Sequence, residues 1–419
     1  MTRQVLNHFS TYEWTGQFWF PETEEQKFFG KVTYSPEKGI QIELLTTHLI
    51  SDDDLNKKLL YGAVLGEIIG PITLFNVSLN RKGTELKTCT RILKGTAGFL
   101  LQGSLAEKPY FDSLEIEYEK PFESIFLTHS KKEIEIRELL GKFSFSPETG
   151  STISLIIDTW PTSILKIDRT QSSLQELFLI EDHWRSFWEL MIDREVFPEH
   201  IWLRIPQAMP LPLLKNYYAP IKKNSEPFPL TLEHLPINIL AYKKSKNNLS
   251  IIRKSLKKWF ERKNDPKWSS VIYGIRRLIK NRRTPADRAF YVSLLYEIET
   301  FLKETRESDT KLEQLIKKYA RNDWKSKISK LLTTSKDSRP LGKSLKEIRN
   351  VIVHPTSNER DRYLPIIQDN DLFQEVYAYL SGLFVKAVLK ELDSIYIKNI
   401  KNYTNQFIEA RRWRTVNYS

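Results

Sequence analysis

Residues 30–45, GKVTYSPEKGIQIELL, place runs of alternating apolar and polar residues on both sides of a Ser-Pro-Glu-Lys-Gly sequence. Alternation with a period of two is typical of a half-buried strand, and Pro and Gly in a short connection favour a tight turn. This stretch therefore predicts a β-hairpin. The pattern returns at residues 141–150, where GKFSFSPETG repeats almost every residue type of GKVTYSPEKG. A duplicated β unit explains the repeat, and so do two unrelated hairpins that share one turn chemistry.

The rest of the first 160 residues also predicts β structure. Short β-branched and aromatic runs are separated by Gly, Pro, Asn and Asp, as expected for strands and turns; they are FFGKVTYS, GIQIELL, ITLFNVSLN, TELKTCTRIL and SLEIEYEK. The aromatic group Trp14, Phe18, Trp19 and Phe20 could stack on a nucleic-acid base. Aromatic residues that alternate beside a strand are more often part of the core, and we favour that interpretation.

The hydrophobic period becomes helical towards the C-terminus. Residues 174–195 predict a helix, a Pro-rich passage between residues 206 and 236 predicts sparse regular structure, and helical periodicity dominates after residue 240. A further helix is predicted to begin at Thr284, which would be its N-cap. Pro285 would be its first helical residue and Asp287 an acidic residue in its first turn. We therefore expect an α+β multidomain protein with a β-rich domain at 1–240, a basic helical connector at 241–283 and an all-α helical bundle at 284–419.

The positive charge is concentrated in the connector. The net charge is +12 overall, with −7 in residues 1–242, +13 in residues 243–283 and +6 in residues 284–419. Clustered cations attract a polyanion through Coulomb forces and counterion release. The predicted RNA-binding residues are Lys254, Lys257, Lys258, Arg276, Arg277, Lys280, Arg282 and Arg283.

The basic block also admits two interpretations that do not involve RNA. A solvated helix face would show the same composition. A membrane-surface helix is disfavoured because Trp259, Phe260 and Trp268 are interspersed with polar residues, which predicts no broad apolar face.

The amino-acid composition limits the kinds of disulfide, metal site and membrane segment that the chain can contain. The single cysteine, Cys89, cannot form an intrachain disulfide or a cysteine-based zinc site and fits a reducing compartment. The seven histidines form no pattern with metal-ligand spacing. The sequence has no apolar leader or spanning stretch, so we expect a cytoplasmic protein with no membrane association.

One short motif could carry chemistry. Arg349 and His354 are separated by four residues in RNVIVHP, at the end of a predicted helix that Pro355 terminates. Arg3 to His8 and Arg194 to His200 match the same loose spacing. Composition alone does not choose among the three.

The phrase LKEIRNVIVHP resembles the motif of the HEPN ribonucleases (higher eukaryotes and prokaryotes nucleotide-binding), which is an Arg, a polar residue and, a few residues later, a His. The resemblance implies catalytic roles for Arg349, Asn350 and His354, and endoribonuclease activity without a metal or other cofactor. The family pairs two such motifs in a dimer cleft, which implies a homodimer through this domain.

The resemblance extends to the N-terminal region. The segments GQFWFPE, GKVTYSPEKGIQIEL and GPITLFNVSL, with LLYEIETF further on, are similar to the ApeA family of anti-phage HEPN proteins. This similarity implies phage defence by abortive infection, with RNA as the target, tRNA among the candidates, and a phage-derived activator. It also implies that residues 1–240 sense infection or restrain the nuclease, and a higher oligomer than the dimer is compatible with it.

The residue types fit this chemistry. His titrates near neutral pH and can act as base or acid, and the planar guanidinium of Arg fits phosphoryl oxygens. On a helix, positions five apart differ by about 140° and about 7.5 Å along the axis, so Arg349 and His354 do not share one face. A turned helix end before the proline, or a second copy across a two-fold axis, would bring them together. Glu297 and Glu299 could orient either residue, but an exposed helix face explains them equally well.

The sequence is compatible with two other functions. The helical bundle could bind RNA as a scaffold without cutting it. Alternatively, a metal-dependent nuclease site could lie in the β-rich domain, built from residues that are distant in sequence. An exposed His354 beyond a helix end, with Arg349 as an ordinary surface cation, is the corresponding interpretation without function.

Overall fold

The chain divides into two compact units, one of residues 1–181 and 196–228 and the other of residues 182–195 and 229–419. The computed structural model describes residues 5–21, 23–47, 50–66, 70–85, 90–103, 110–118, 144–146, 150–157, 163–192, 195–206, 209–217, 248–262, 265–280, 287–302, 311–320, 322–332, 339–354 and 356–392. Cys89 and Pro355 lie outside these ranges, as do Arg282 and Arg283.

In its described residues, the first unit is built on one antiparallel sheet of fourteen strands. The strands are β1 (Tyr12–Trp19), β2 (Phe28–Ser35), β3 (Gly39–Thr46), β4 (Leu59–Gly66), β5 (Gly70–Phe75), β6 (Ser78–Glu85), β7 (Thr90–Ala97), β8 (Phe99–Gln102), β9 (Phe111–Tyr118), β10 (Ser144–Phe145), β11 (Ser151–Ile157), β12 (Ser163–Ser172), β13 (Pro198–Arg204) and β14 (Leu211–Lys215). Their order across the sheet is β10-β11-β12-β9-β13-β14-β8-β5-β4-β1-β2-β3-β7-β6. A short helix, α1 (Asp52–Leu55), follows β3.

The alternating pattern of the strands supplies the core of this unit. Trp14, Phe18 and Phe20 are at most 1% exposed, which confirms that these aromatic residues belong to the core. Trp19 lies on the opposite side of β1 and is half-buried, with the Lys27 ammonium 5.4 Å from its ring centre. Both the β periodicity and the burial therefore follow from the sequence in this region.

The two SPExG segments share a turn glycine but differ in register. Gly39 and Gly150 both have positive φ, at 67° and 80°, which is the conformation that glycine adopts without strain. Tyr34 pairs with Ile40 across the first hairpin, whereas the second pairs Phe145 with Ile153, two residues beyond the equivalent position. The first hairpin lies inside the sheet and the second at its edge. Duplication of a β unit therefore stays a prediction.

The expectation of sparse regular structure in the Pro-rich passage was wrong for its first part. Pro212 lies in β14 (Leu211–Lys215), opposite Trp202 of β13. A proline is tolerated at the start of a strand, and β14 keeps its pairing because Leu213 and Leu214 pair with β8. The predicted boundary near residue 240 lies outside the described residues.

The second unit is helical in the described residues, and the predicted fold class, β-rich and then all-α, is confirmed. Helix α2 (Leu174–Ile192) begins in the first unit and ends in the second. The remaining helices are α3 (Asn248–Glu261), α4 (Pro266–Lys280), α5 (Arg288–Phe301), α6 (Lys311–Tyr319), α7 (Asn322–Leu332), α8 (Leu341–Val353), α9 (Arg360–Gln368) and α10 (Asn370–Glu391). Helix α10 is long and apolar enough to cross a membrane, but 78% of its most apolar window is buried inside the protein, as in a core helix.

Two sequence-based expectations about these helices were wrong. The cap of α5 is Asp287, whose side chain accepts a hydrogen bond from the Phe290 N–H at 2.8 Å; Thr284 lies three residues too early. Trp259, Phe260 and Trp268 are at most 2% exposed, so α3 and α4 do bury an apolar face. Leu256, Trp259 and Phe260 recur at helical spacing, which the interspersed lysines concealed.

Candidate active site

Helix α8 carries the Arg349–His354 motif, and its apolar stripe fixes its orientation. Leu345, Ile348 and Val351 are at most 5% exposed and pack into the second unit. The buried Tyr291 hydroxyl donates a hydrogen bond to the Leu345 carbonyl oxygen at 2.9 Å, one turn before Arg349. Arg349 and Asn350 are thereby left half-buried at the margin of the helix.

A carboxylate on α5 holds Arg349. The Arg349 Nη1 donates to both Glu299 carboxylate oxygens, at 3.2 and 3.3 Å. The two side chains are 25% and 30% exposed, so the pair is reachable from solvent and partly screened by it. The sequence does not reveal which face of α5 meets α8, so it does not single out Glu299.

Asn350 links this ion pair to a second carboxylate. Its Oδ1 accepts from Arg349 Nη2 at 3.4 Å, and its Nδ2 donates to Glu347 Oε2 at 3.2 Å. The guanidinium, the amide and two carboxylates thus form one polar chain along the surface of α8. A chain of this kind restricts the rotamers of Arg349 and presents its remaining N–H donors in a defined direction.

His354 stands at the C-terminal end of α8 with an exposed side chain. Its φ and ψ of −122° and 88° leave the helical region, as expected for a residue before proline. Its N–H donates to the Asn350 carbonyl at 2.7 Å, and its own carbonyl accepts from the Ser357 N–H at 2.9 Å. The segment that follows returns to the start of the helix, where the Arg339 and Glu359 side chains pair at 2.8 Å.

Of the two remaining Arg-to-His matches, the structure describes the histidines and not the arginines. Arg3 and Arg194 lie outside the described residues. His8 is fully buried, and burial lowers its pKa to about 3. Its Nε2 accepts a hydrogen bond from the Lys215 N–H at 3.0 Å, so this imidazole is neutral, covered and already paired.

Glu297, the other carboxylate that could orient Arg349 or His354, is buried between α5 and α4. It is 3% exposed, and its carboxylate pairs with Arg277 of α4 at 2.9 Å. Burial raises the pKa of Glu297 to about 7 against the opposing attraction of the Arg277 guanidinium. The exposed-face interpretation of Glu297 was therefore wrong.

The predicted RNA-binding residues occupy unlike surroundings. Lys254 and Lys257 are exposed on α3, where Lys257 forms a long contact of 3.8 Å with Glu261, and Lys258 is half-buried. Lys280 is exposed at the end of α4. These lysines are accessible to a polyanion.

The two arginines of the set that the structure describes, Arg276 and Arg277, are engaged by carboxylates. Arg276 contacts Asp182 at 2.9 Å and Glu189 at 3.2 Å, and Arg185 binds the same two carboxylates from α2. Arg277 pairs with Glu297. Their predicted contact with RNA is untested, and both guanidinium groups already serve the packing of the helical unit.

No group of three or more His, Cys, Asp or Glu residues that could hold a metal ion was found in the described ranges.

A family comparison provides the assignment. The sequence matches the family description "ApeA N-terminal domain 1" over residues 13–254, more than half of the chain. The chain belongs to the ApeA family. Membership in the ApeA family indicates an anti-phage defence protein. Searches among curated proteins and among solved structures gave no match.

The ApeA match covers the sheet of the first unit and ends within helix α3. Helix α8, with Arg349 and His354, lies beyond it. The family is therefore established by the N-terminal region, and the family match does not extend to α8.

Proposed function

We propose that this ApeA-family protein is a metal-independent endoribonuclease of the HEPN type that cuts host or phage RNA during abortive infection. The observation that carries the proposal is the arrangement on α8. A half-buried guanidinium is held by Glu299, and an exposed imidazole stands five residues later at the helix end. Arginine and histidine in this arrangement can bind and cleave a phosphodiester without a metal ion.

The proposed reaction is an internal transesterification. The His354 imidazole removes the proton from a ribose 2′-hydroxyl, the 2′-oxygen bonds to phosphorus, and the bond to the 5′-oxygen breaks. Arg349 compensates the charge that develops on the phosphoryl oxygens, and a protonated imidazole returns a proton to the 5′-oxygen. The products are a 2′,3′-cyclic phosphate and a 5′-hydroxyl.

Asn350 has a supporting role in this proposal. Its amide touches both Arg349 and Glu347, so it restricts the guanidinium. The side chain is half-buried, and removal of its amide would free Arg349 to sample other rotamers. We propose that Asn350 positions the arginine and adds a polar contact to the RNA.

The site is proposed to be completed in a homodimer. On an ideal helix, Arg349 and His354 project about 140° apart. His354 leaves the helical region at the end of α8, but the polar side-chain partners of Arg349 in its own protomer are Glu299 and Asn350. A two-fold axis near α8 would place the imidazole of one protomer beside the guanidinium of its partner.

The basic helices are proposed to attract the RNA in the cytoplasm. Lys254, Lys257 and Lys280 are exposed, and Lys258 is half-buried, so their ammonium groups can contact phosphates. The first unit is proposed to sense a phage-derived activator or to restrain cleavage, because an unrestrained nuclease would injure its host. tRNA is the first RNA to test as the target.

The decisive experiment is cleavage of labelled RNA by the full chain in excess EDTA. We expect the wild-type protein to cut tRNA or a single-stranded RNA, and Arg349→Ala and His354→Ala each to lower the rate by a factor on the order of 100 or more. Lys343→Ala, an exposed cation on the same helix, is the matched control and should cut normally. Tight binding with intact RNA would support a non-catalytic scaffold instead. Cleavage that survives both variants but disappears in EDTA would support a metal-dependent site.

A mixing experiment tests the composite site. If Arg349→Ala and His354→Ala chains exchange subunits, each mixed dimer contains one intact site made of Arg349 from one chain and His354 from its partner. About a quarter of the wild-type activity should return, because half of the dimers are mixed and each has one site. No recovery, with exchange verified by mass, would show that each protomer builds its own site.

A further inference from the structure

We propose that an unpaired RNA strand lies along one side of helices α4 and α5, where Tyr273 and Tyr296 stack on its bases and lead it to Arg349. We call this surface the tyrosine track and define it by its exposed residues Tyr273, Lys280 and Tyr296. The inference rests on the proposed ribonuclease function and names how that site takes its substrate.

The first part of the track is one face of α4. Tyr273, Arg277 and Lys280 follow each other at spacings of four and three residues, which places them on the same side of a helix. Tyr273 is 65% exposed, and the Arg277 guanidinium carbon lies 6.0 Å from the centre of its ring. Lys280 is exposed. This face thus presents an exposed aromatic ring at Tyr273 and an exposed cation at Lys280.

The second part lies on α5, which runs antiparallel to α4. The Trp268 and Phe301 rings are 5.9 Å apart, whereas Arg277, nine residues after Trp268, pairs with Glu297, four residues before Phe301. Gly274 faces Glu297 so closely that a Cβ on it would overlap the carboxylate. In an antiparallel pair, the residues that precede two facing positions project to the same side. Tyr273 and Tyr296 precede Gly274 and Glu297, so they share one side of the pair.

The track continues to the candidate active site. Tyr296 is 67% exposed and lies three residues before Glu299, on the same face of α5. Glu299 holds Arg349 at 3.2 Å. A base stacked on Tyr296 would therefore place its phosphate towards the guanidinium that the cleavage reaction uses.

The chemistry of the surface favours unpaired RNA. Tyrosine rings in water offer a face on which any base can stack, and neighbouring cations neutralise phosphates. A duplex keeps its bases inside and cannot use the rings. The positive charge along the track complements the RNA backbone.

The test is fluorescence anisotropy of a labelled ten-nucleotide single-stranded RNA and of its duplex, in the non-cleaving His354→Ala background. We expect Tyr273→Ala and Tyr296→Ala each to weaken single-strand binding about tenfold. Tyr→Phe at the same positions should retain most of the affinity, since the ring is kept. Tyr110→Ala, a 60% exposed tyrosine of the first unit, is the matched control and should bind normally. Lys280→Ala should lower the salt slope of binding by about one.

The outcomes separate this inference from the proposed function. Loss of affinity in the tyrosine variants with no cleavage by wild-type protein would keep the track and reject the nuclease. Unchanged single-strand binding with normal melting temperatures would overturn the track. Altered molecular mass in light scattering with unchanged RNA binding would also overturn it, and would assign the two tyrosines to a contact between copies of the chain.

Discussion

The two faces of helix α5 hold the same pair of residue types in different surroundings. Glu297 and Arg277 are 4% and 16% exposed in their side chains, whereas Glu299 and Arg349 are 30% and 25% exposed. Both are ion pairs near 3 Å. The covered pair joins two helices, while the uncovered pair leaves guanidinium donors available to a substrate. Burial, and not residue identity, separates the packing role of the covered pair from the catalytic role that we propose for the uncovered pair.

The largest expected effect comes from breaking the covered pair. Glu297→Ala leaves the Arg277 guanidinium largely buried without its carboxylate, and we expect the free energy of unfolding to fall by about 2–4 kcal/mol. Urea unfolding followed by circular dichroism measures the change. Glu313→Ala, which removes another carboxylate of the helical unit, provides a comparison. A loss below about 0.5 kcal/mol would contradict the packing role.

A smaller effect is expected where α4 approaches α5. A Cβ at Gly274 would overlap the Glu297 carboxylate, so Gly274→Ala must push the two helices or the carboxylate apart. We expect a destabilisation of about 1–3 kcal/mol, despite the better helix propensity of alanine. Ser270→Ala, one turn earlier on α4, serves as the control in the same urea unfolding measurements. A stabilised Gly274→Ala protein would show that the helices can separate freely.

The pH dependence of stability tests the surroundings of Glu297 further. The pKa of Glu297 is raised from 4.5 to about 7, so between these values the folded protein holds a proton that the unfolded chain has released. The stability contributed by the neutral carboxyl is therefore complete below pH 4.5 and is lost as the pH rises through 7. Relative to Glu297→Gln, the wild type should lose about 1.4 kcal/mol per pH unit in that window. A stability difference between the wild type and Glu297→Gln that does not change with pH would contradict a Glu297 pKa near 7.

The smallest effect on stability is expected at the uncovered pair. Glu299→Ala should change the free energy of unfolding by less than about 1 kcal/mol, because solvent screens the pair. The same change should lower kcat for RNA cleavage about tenfold with little effect on KM, because Arg349 loses its fixed orientation. Glu299→Gln keeps an acceptor and should recover part of the rate. A normal kcat for Glu299→Ala would separate Glu299 from the site.

Much of this architecture follows from the sequence, and the remainder depends on packing. The strand alternation around residues 30–45 and the helical periodicity of LGKSLKEIRNVIV predict their elements correctly. Glu297 and Glu299 are two residues apart and about 200° apart on the helix, so only the positions of α4 and α8 decide which is covered. Pro212 was mistaken for a loop residue because its strand is recognisable only from its partners on both sides. The N-cap of α5 is Asp287 and not the predicted Thr284. Thr and Asp are both preferred N-cap residues, so the sequence alone does not choose between them.

The hydrogen bonds on both sides of His354 limit how that residue can move. Its N–H and its carbonyl are each engaged, and the chain beyond it is tied back by Arg339 and Glu359. The main chain is therefore fixed, and the imidazole can reorient only about its two side-chain torsions. Immobilising so few rotors costs little conformational entropy, on the order of 1 kcal/mol. In the proposed reaction, an imidazole that turns only about its own side-chain torsions would serve first as base and then as acid, with no backbone rearrangement between the two steps.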